Sequence, residues 1–357
     1  MEEINKPLKP PVVVIITNNY YPTIGGISTY VADLVSGLRK SNIETLLLYP
    51  SYKKTNKLSR IIFVIRSIVT IIKLNIKNRV IVHSHSANFC LLIGYISKKL
   101  IKLKAVHTFH SPISAKHREL SFLVKGIDQL IYVSKATERL YQSYGVPPFD
   151  NDVIIPGGID IDKYLTNTIK KIDADNVKVL FVGRIAKEKG IKEAILSLNY
   201  LVDINIKLDI IGSAQTIEQE NYLSEIYKTI DDHTLKGSIN IVGKKTGEEL
   251  ISYYHKADIF ILPSIWEEPA PMVIAEAFSA SLPIIAFDTG GLRERIIDSV
   301  NGVLVPRGDI EALATSLRAL IEDKILYEKM SLNAREYSLK NLSSEKMIEK
   351  HTSAYFE

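Results

Sequence analysis

Short apolar runs recur through this 357-residue chain, and each is followed by a stretch of helical periodicity. The first, Val12-Val13-Val14-Ile15-Ile16, leads through Gly25 and Gly26 to apolar positions at Ile27, Val31, Leu34 and Leu38, the spacing of one helix face. Further runs fall at 45–49, 80–83, 105–109, 130–133 and 153–155. The pattern restarts at Val177 with VKVLFVGR and continues at 207–211, 239–242, 258–262, 283–287 and 303–305. Two such series, joined by the polar connector LTNTIKKIDADN (165–176), predict an α/β protein of two doubly wound parallel-sheet domains. Ligands of such sheets bind at the carboxyl ends of the strands, so two facing domains place theirs in the cleft between them.

The hydrophobic fraction of 46% with 24% charged residues suits an ordinary globular chain long enough for two cores. The single cysteine, Cys90, excludes a disulfide framework within the chain and favours a reducing compartment. The acidic start Met1-Glu2-Glu3 and the short first apolar run do not match a signal peptide, and no run is long enough to span a bilayer, so a cytoplasmic protein is expected. Net charge is uneven. Residues 1–170 carry 23 basic against 11 acidic side chains, or +12, whereas residues 171–357 carry 22 against 29, or −7. No carboxylate occurs between Glu44 and Glu119, a region holding Lys53, Lys54, Lys57, Arg60, Arg66, Lys73 and further cations up to Arg118. An anionic partner is expected there. Residues 57–79, KLSRIIFVIRSIVTIIKLNIKNR, mix bulky apolar groups with cations at helical spacing, as an interfacial helix does on anionic headgroups; the alternative is a helix packed on the sheet with a solvated basic edge. Membrane contact through 53–118 would make the protein peripheral on the inner face of the plasma membrane. No helix-turn-helix, zinc-finger spacing or aromatic RNA-binding signature accompanies the charge, so nucleic acid is not expected.

The Gly25-Gly26 turn at the end of the first strand lets backbone approach a ligand with no Cβ in the way, and a helix beginning near Ser28 presents free N–H groups to it. A phosphate suits that place, although a Gly-Gly before a helix is often only a tight turn. In FVGRIAKEKG (181–190), Arg184 follows a strand and Lys189 enters the next helix, so that two cations can converge on one diphosphate; the alternative is a pair of solvated surface charges. In PSIWEEPAPMVIAEA (263–277), Glu268 lies in a loop and Glu276 one turn into a helix expected over 272–280. A carboxylate there can accept from two sugar hydroxyls. Trp266 reads as a rim-packing aromatic or as a surface for ligand stacking. The pairs Asp160/Asp162 and Asp173/Asp175 resemble a metal-chelating pattern but do not stand at the end of a buried strand. His83 and His85 share one side of a strand, with His107 and His110 close in sequence, yet no acidic residue lies within that basic stretch to complete a zinc set. No metal is expected.

The motifs YYPTIGGISTY (20–30), VHSHS (82–86), HTFHSP (107–112), IYVSKATERL (131–140), IIPGGIDIDKY (154–164), VGRIAKEKG and PSIWEEPAPMVIAEAFSASLPIIAFDTGGLRE occur together and in this order. In combination they resemble the retaining glycosyltransferases of the GT-B fold, family four, the glycosyl transferases group 1, from Val12 to the C-terminus. The resemblance implies two facing Rossmann-like domains: 1–168, joined by a returning C-terminal helix at 341–357 capped by Ser343 or Ser344, and 169–340. It implies a nucleotide-sugar donor, with Arg184 and Lys189 on its diphosphate and Glu276 on the ribose. Glu268 would lie near the transferred sugar, His110 facing the reacting sugar, and Gly26 beside the phosphates. The implied catalytic residues are His110, Glu268, Arg184 and Lys189. The donor-binding set is Gly25, Gly26, Gly183, Arg184, Lys189, Gly212, Gly243, Ala270, Met272, Val273 and Glu276. Two fixed cations and a helix terminus can neutralise the leaving diphosphate, so no cofactor or metal is implied. Two motifs depart from the family pattern. Its usual Glu-Gly-Phe-Gly is here Glu268-Pro269-Ala270-Pro271-Met272, which removes two backbone donors, and its Pro-Asn-Gly is Pro156-Gly157-Gly158.

The expected reaction is transfer of a hexose from a nucleotide sugar to an acceptor hydroxyl with retention, the donor's own phosphate oxygen serving as base. The basic first half suggests a lipid-linked, glycolipid or cell-surface polysaccharide acceptor. Two alternatives stand beside it: a nucleotide-sugar epimerase of the same architecture, and a catalytically inactive subunit that binds nucleotide or membrane and supports a partner enzyme.

Overall fold

The computed structural model describes residues 11–20, 25–50, 57–86, 89–111, 120–166, 168–233, 235 and 237–357. The chain divides into two compact units. The first is Met1–Gly158 with Ser344–Glu357, and the second is Ile159–Ser343. The division falls after Gly158, ahead of the boundary expected at 168, because Ile159 bridges to Ser343 and Ile161 packs into the second unit's core.

In the first unit β1 (Val12–Ile16), α1 (Gly26–Lys40), β2 (Thr45–Leu48), α2 (Lys57–Lys77), β3 (Val80–His85), α3 (Phe89–Leu100), β4 (Lys104–Phe109), α4 (Leu120–Val124), β5 (Gln129–Tyr132), α5 (Lys135–Ser143) and β6 (Val153–Ile154) follow one another. The strands pair in parallel in the order β2-β1-β3-β4-β5-β6. Every residue of β1 and β3 is buried, as a parallel sheet covered on both faces requires.

The second unit runs β7 (Val177–Val182), α6 (Ile191–Ser197), β8 (Ile206–Ile211), α7 (Ile217–Asp232), β9 (Ile239–Gly243), α8 (Gly247–Lys256), β10 (Ile259–Leu262), α9 (Val273–Ser279), β11 (Ile284–Phe287), β12 (Gly302–Val305), α10 (Ile310–Glu322) and α11 (Lys324–Asn341). Its parallel order is β12-β11-β10-β7-β8-β9.

The last helix, α12 (Ser344–Phe356), belongs to the first unit. It lies against α1, where a Cβ on Gly37 would come within 2.3 Å of the Ile348 side chain, so glycine is what allows the close approach. The carbonyls of Ala354 and Tyr355 at its end accept from Lys104 Nζ at 2.7 and 3.2 Å, a cation on the negative end of the helix dipole.

Each sheet has one place where successive crossovers leave in opposite directions: between β1 and β3 in the first, and between β7 and β10 in the second. The carboxyl ends of strands at such a switch point form a crevice, so the fold alone directs attention to the residues following β1, β3, β7 and β10.

Candidate functional site

In the second unit, the loops following β7 and β10 are sewn together. After Gly183 and Arg184 the chain makes a single 3₁₀ turn over Lys187–Lys189, stopped by Gly190 in the left-handed region at φ 67°. A Cβ at Gly190 would lie 1.7 Å from the carbonyl oxygen of Pro263, so only glycine lets the two loops touch. Ile265 N–H donates to the Glu188 carbonyl at 3.0 Å beside it. This contact carries Lys189 Nζ to Glu268 Oε1 at 2.6 Å. Ser264 Oγ donates to the same oxygen at 2.5 Å, and Lys189 also lies over the Trp266 ring, 5.1 Å from its centroid. The Glu268 carbonyl accepts from Gly291 N–H at 2.6 Å, which ties the loop to the segment after β11. Glu268 is 2% exposed and Lys189 14%, so the carboxylate is buried while the ammonium keeps a partial path to water.

Arg184 does not join this pair. It is 46% exposed and bonds Glu188 at 3.0 Å, so each of the two cations has a carboxylate of its own. Glu276, half-buried in α9, accepts from Tyr254 Oη at 2.5 Å. Burial, and next the charge of Glu276, hold the Tyr254 phenol well above its ordinary pKa, so it stays a donor. Met272 stands at the N-cap of α9, which begins at Val273, and α9 is shorter at both ends than the helix expected over 272–280. Gly183, Gly212 and Gly243 fall at the ends of β7, β8 and β9, where Gly183 N–H donates to Ile211 and Gly212 N–H to Gly243, at 3.0 and 3.1 Å. A Cβ on Gly212 would come within 1.8 Å of the Gly183 carbonyl oxygen, so packing alone requires that glycine.

Gly25 and Gly26 behave differently. Gly25 is extended at φ 178°, and no described atom lies within 4 Å of a Cβ built on either residue. Neither strain nor crowding among the described residues calls for glycine here. Helix α1 starts at Gly26, two residues before the expected start, because Ser28 Oγ accepts from Gly25 N–H and donates to the Gly25 carbonyl, both at 2.8 Å.

The histidines gather under the carboxyl ends of β3 and β4. His85 Nδ1 and His110 Nε2 are 2.8 Å apart, and the rings stack at 5.1 Å. His83 bridges Tyr355 Oη at 2.6 Å and Thr108 Oγ1 at 2.7 Å, while His107 Nδ1 bonds Ser84 Oγ at 2.8 Å. A fifth ring, His351 on α12, bonds Tyr30 Oη at 2.7 Å, and Tyr30 packs edge-on to His110 at 4.7 Å. Burial pushes His107, His110 and His351 down to about 3, and holds His83 and His85 well below their ordinary value, with neighbouring imidazoles adding to it. All five are therefore neutral at physiological pH. His110 is therefore a neutral hydrogen-bonding group, not a cation. Among the described residues, no three His, Cys, Asp or Glu side chains gather as a metal-ligand set.

Sequence reasoning had not included Ser264, Tyr254, Tyr30, His351 or Tyr355. Of these, His351 and Tyr355 carried a readable signal, since their i,i+4 spacing puts both on one face of the last helix. The aspartate pairs find local partners: Asp160 bonds Lys163 at 3.1 Å, and Asp173 accepts from the Asp175 N–H at 3.1 Å. Lys53, Lys54, Lys116 and Arg118 of the basic region lie outside the described residues.

Residues 24–163 match the profile described as Glycosyltransferase Family 4, and residues 165–337 match that of the glycosyl transferases group 1. The chain belongs to the group 1 glycosyltransferases, and its fold is GT-B. An uncharacterised glycosyltransferase of Methanocaldococcus jannaschii is 26% identical, with 94% of this chain matched to 95% of that protein. An Escherichia coli protein described as UDP-Gal:α-D-GlcNAc-diphosphoundecaprenol α-1,3-galactosyltransferase is 26% identical over 82% of this chain and 79% of its own length. Among solved structures, HepE of Anabaena in complex with UDP superimposes with a TM-score of 0.80 at 18% identity, covering 96% of this chain and 98% of that one.

Proposed function

We propose that the protein transfers a hexose from a nucleoside-diphosphate sugar to an acceptor hydroxyl with retention of configuration. The observation that carries the reading is the cluster at the switch point of the second sheet, where Lys189, Glu268 and Ser264 share one buried network and Arg184 stands at the end of the adjacent strand. A diphosphate takes Lys189 and Arg184 as counter-ions, each exchanging part of its bond to Glu268 or Glu188 for a phosphate oxygen. Glu276, held by Tyr254, accepts from the ribose hydroxyls, and the N–H groups of Ala270, Met272 and Val273 meet sugar or phosphate oxygens. Neutral His110 bonds a hydroxyl of the reacting sugar. The uncrowded backbone at Gly25 and Gly26 suits the approach of a phosphate.

In the reaction the bond from the anomeric carbon to the β-phosphate oxygen breaks, and the acceptor oxygen bonds that carbon on the same face. The acceptor proton passes to a donor phosphate oxygen, and the nucleoside diphosphate departs with its charge balanced by the two cations; the reading needs no metal. A uridine nucleotide is the first candidate, since HepE was solved with UDP and UDP-glucose and the E. coli relative's description specifies UDP-Gal. That relative's acceptor is described as a diphosphoundecaprenol. An acceptor on a lipid or in a surface glycan, at an anionic membrane met through the basic region 53–118, also suits the charge of the first half.

Thermal melting with UDP, GDP, ADP and their common sugars tests the reading, repeated with Arg184→Ala. Ligand bound to the native state at 100 times its Kd adds about 2.7 kcal/mol. One nucleotide family is expected to raise the melting temperature, with the rise lost in the variant. A folded wild type that responds to none of them would overturn the transferase reading and favour an inactive subunit. Conversion of the sugar without any acceptor would favour an epimerase.

A further inference from the structure

Helix α2 is apolar on two faces, and the fold uses only one of them. Its inner face packs Phe63, Val64, Ile68 and Ile71 into the first unit's core, with Phe63 edge-on to Phe89 of α3 at 5.8 Å. On the other side Leu58, Ile62, Ile65, Val69 and Ile76 are exposed, from 42% at Ile62 to 78% at Ile76. Steps of four, three, four and seven residues keep them in one line along the helix. Arg66, Lys73 and Lys77, all exposed, run beside that line. No acidic residue occurs in sequence between Glu44 and Glu119, and none of the three cations takes part in a salt bridge among the described residues.

A contiguous exposed strip of large aliphatic side chains marks a surface that is covered in use. Its four-three spacing would suit a coiled-coil seam with a second copy, but that pairing would set Arg66, Lys73 and Lys77 beside their counterparts with no carboxylate on either helix to answer them. A nucleic acid would meet the cations and leave the aliphatic strip in water. Crossing a bilayer is excluded for this helix, which is not apolar enough to do so. A surface that is apolar at depth and negative at its rim satisfies both features at once.

We propose that α2 is a membrane-docking element. It lies in the plane of an anionic lipid surface with Leu58, Ile62, Ile65, Val69 and Ile76 among the upper acyl chains and Arg66, Lys73 and Lys77 on the lipid phosphates. The inner face, anchored in the core, keeps the helix formed without lipid. Docking therefore needs no folding step, and it stands whatever reaction the second unit performs.

The test is co-sedimentation of the full chain, without nucleotide, with vesicles of phosphatidylcholine alone or mixed with phosphatidylglycerol. Binding is expected to the mixed vesicles, weakened by raised salt, with little to phosphatidylcholine. The double variant Ile65→Ser/Val69→Ser alters only exposed positions and is expected to bind roughly tenfold more weakly. Arg66→Gln/Lys73→Gln should lose about fivefold per charge. Wild-type failure to bind the mixed vesicles, or binding that neither pair of substitutions weakens, overturns the proposal. Light scattering on the same samples detects the rival occupant: a wild-type dimer that Ile65→Ser/Val69→Ser converts to monomer would assign the strip to a second copy.

Discussion

Under the strand ends of the first unit, five imidazoles are buried with hydroxyls and one another and no counter-ion among the contacts described; in the second, the buried carboxylate of Glu268 is paired with the partly exposed Lys189. Both arrangements avoid an isolated buried charge, one by staying neutral and the other by pairing. The difference fixes what each can do. A neutral network holds tautomers and hydrogen-bond directions and is undone by protons. A charged pair can exchange one partner for a ligand of the same sign, and is undone by loss of either member.

Acid gives the largest contrast. The folded pKa values of His107, His110 and His351 lie at about 3, below the ordinary 6.5 of the unfolded chain. Their contribution is thus fully present above pH 6.5 and is lost as pH falls from 6.5 toward 3. Near pH 5 each such histidine costs about 2 kcal/mol of folding free energy. Asp152, raised to about 6 by burial, opposes this in the same unit, because protonation favours its folded form. The first unit is expected to loosen before the second. Trp266, the single tryptophan, lies in the second unit, so its emission follows that unit while circular dichroism follows both. An ellipticity transition between pH 6 and 4 that precedes the change in emission is the expected result; coincident transitions would break the contrast.

Lys189→Ala comes next in size. It leaves the Glu268 carboxylate, 2% exposed, with Ser264 as its remaining described side-chain partner, a loss of about 3–5 kcal/mol in the second unit's denaturant transition. Glu268→Gln should cost less, since Lys189 is more exposed and can turn its ammonium toward water. Lys189→Ala combined with Glu268→Gln should recover part of the loss. Strict additivity of the two changes would mean that the pair contributes nothing as a pair.

The alternation of strand and helix was legible because buried strands such as β1, β10 and β11 are uninterrupted apolar runs, and because α12 carries its own serine start. Partnership was not. Nothing in FVGRIAKEKG says that Arg184 turns to Glu188 while Lys189 reaches Glu268; the distinction comes from the 3₁₀ turn and from the contact of Gly190 with Pro263. Nor could His83, His85, His107 and His110 reveal that His351 and Tyr355, from the far end of the chain, complete their network. Gly25 and Gly26 show the converse. They were singled out as glycines, yet the described chain supplies no steric need for them, whereas Gly190, which the fold requires, stood only as the end of a motif.

Two tyrosines sharpen the contrast at the smallest scale. Tyr355 donates to or accepts from His83 Nδ1 at 2.6 Å in full burial, whereas Tyr254 donates to Glu276, a half-buried carboxylate, at 2.5 Å. On bond strength alone Tyr254→Phe would cost more, because its acceptor is charged. On what is left behind the order reverses. Tyr355→Phe strands a ring nitrogen that water cannot reach, at about 1–3 kcal/mol, while Tyr254→Phe leaves a carboxylate that solvent can approach, at about 1 kcal/mol. Denaturant midpoints of the two variants decide between the orders. A larger loss for Tyr355→Phe means that inaccessible desolvation governs the first unit; a larger loss for Tyr254→Phe would place the greater energetic weight on the charged site of the second.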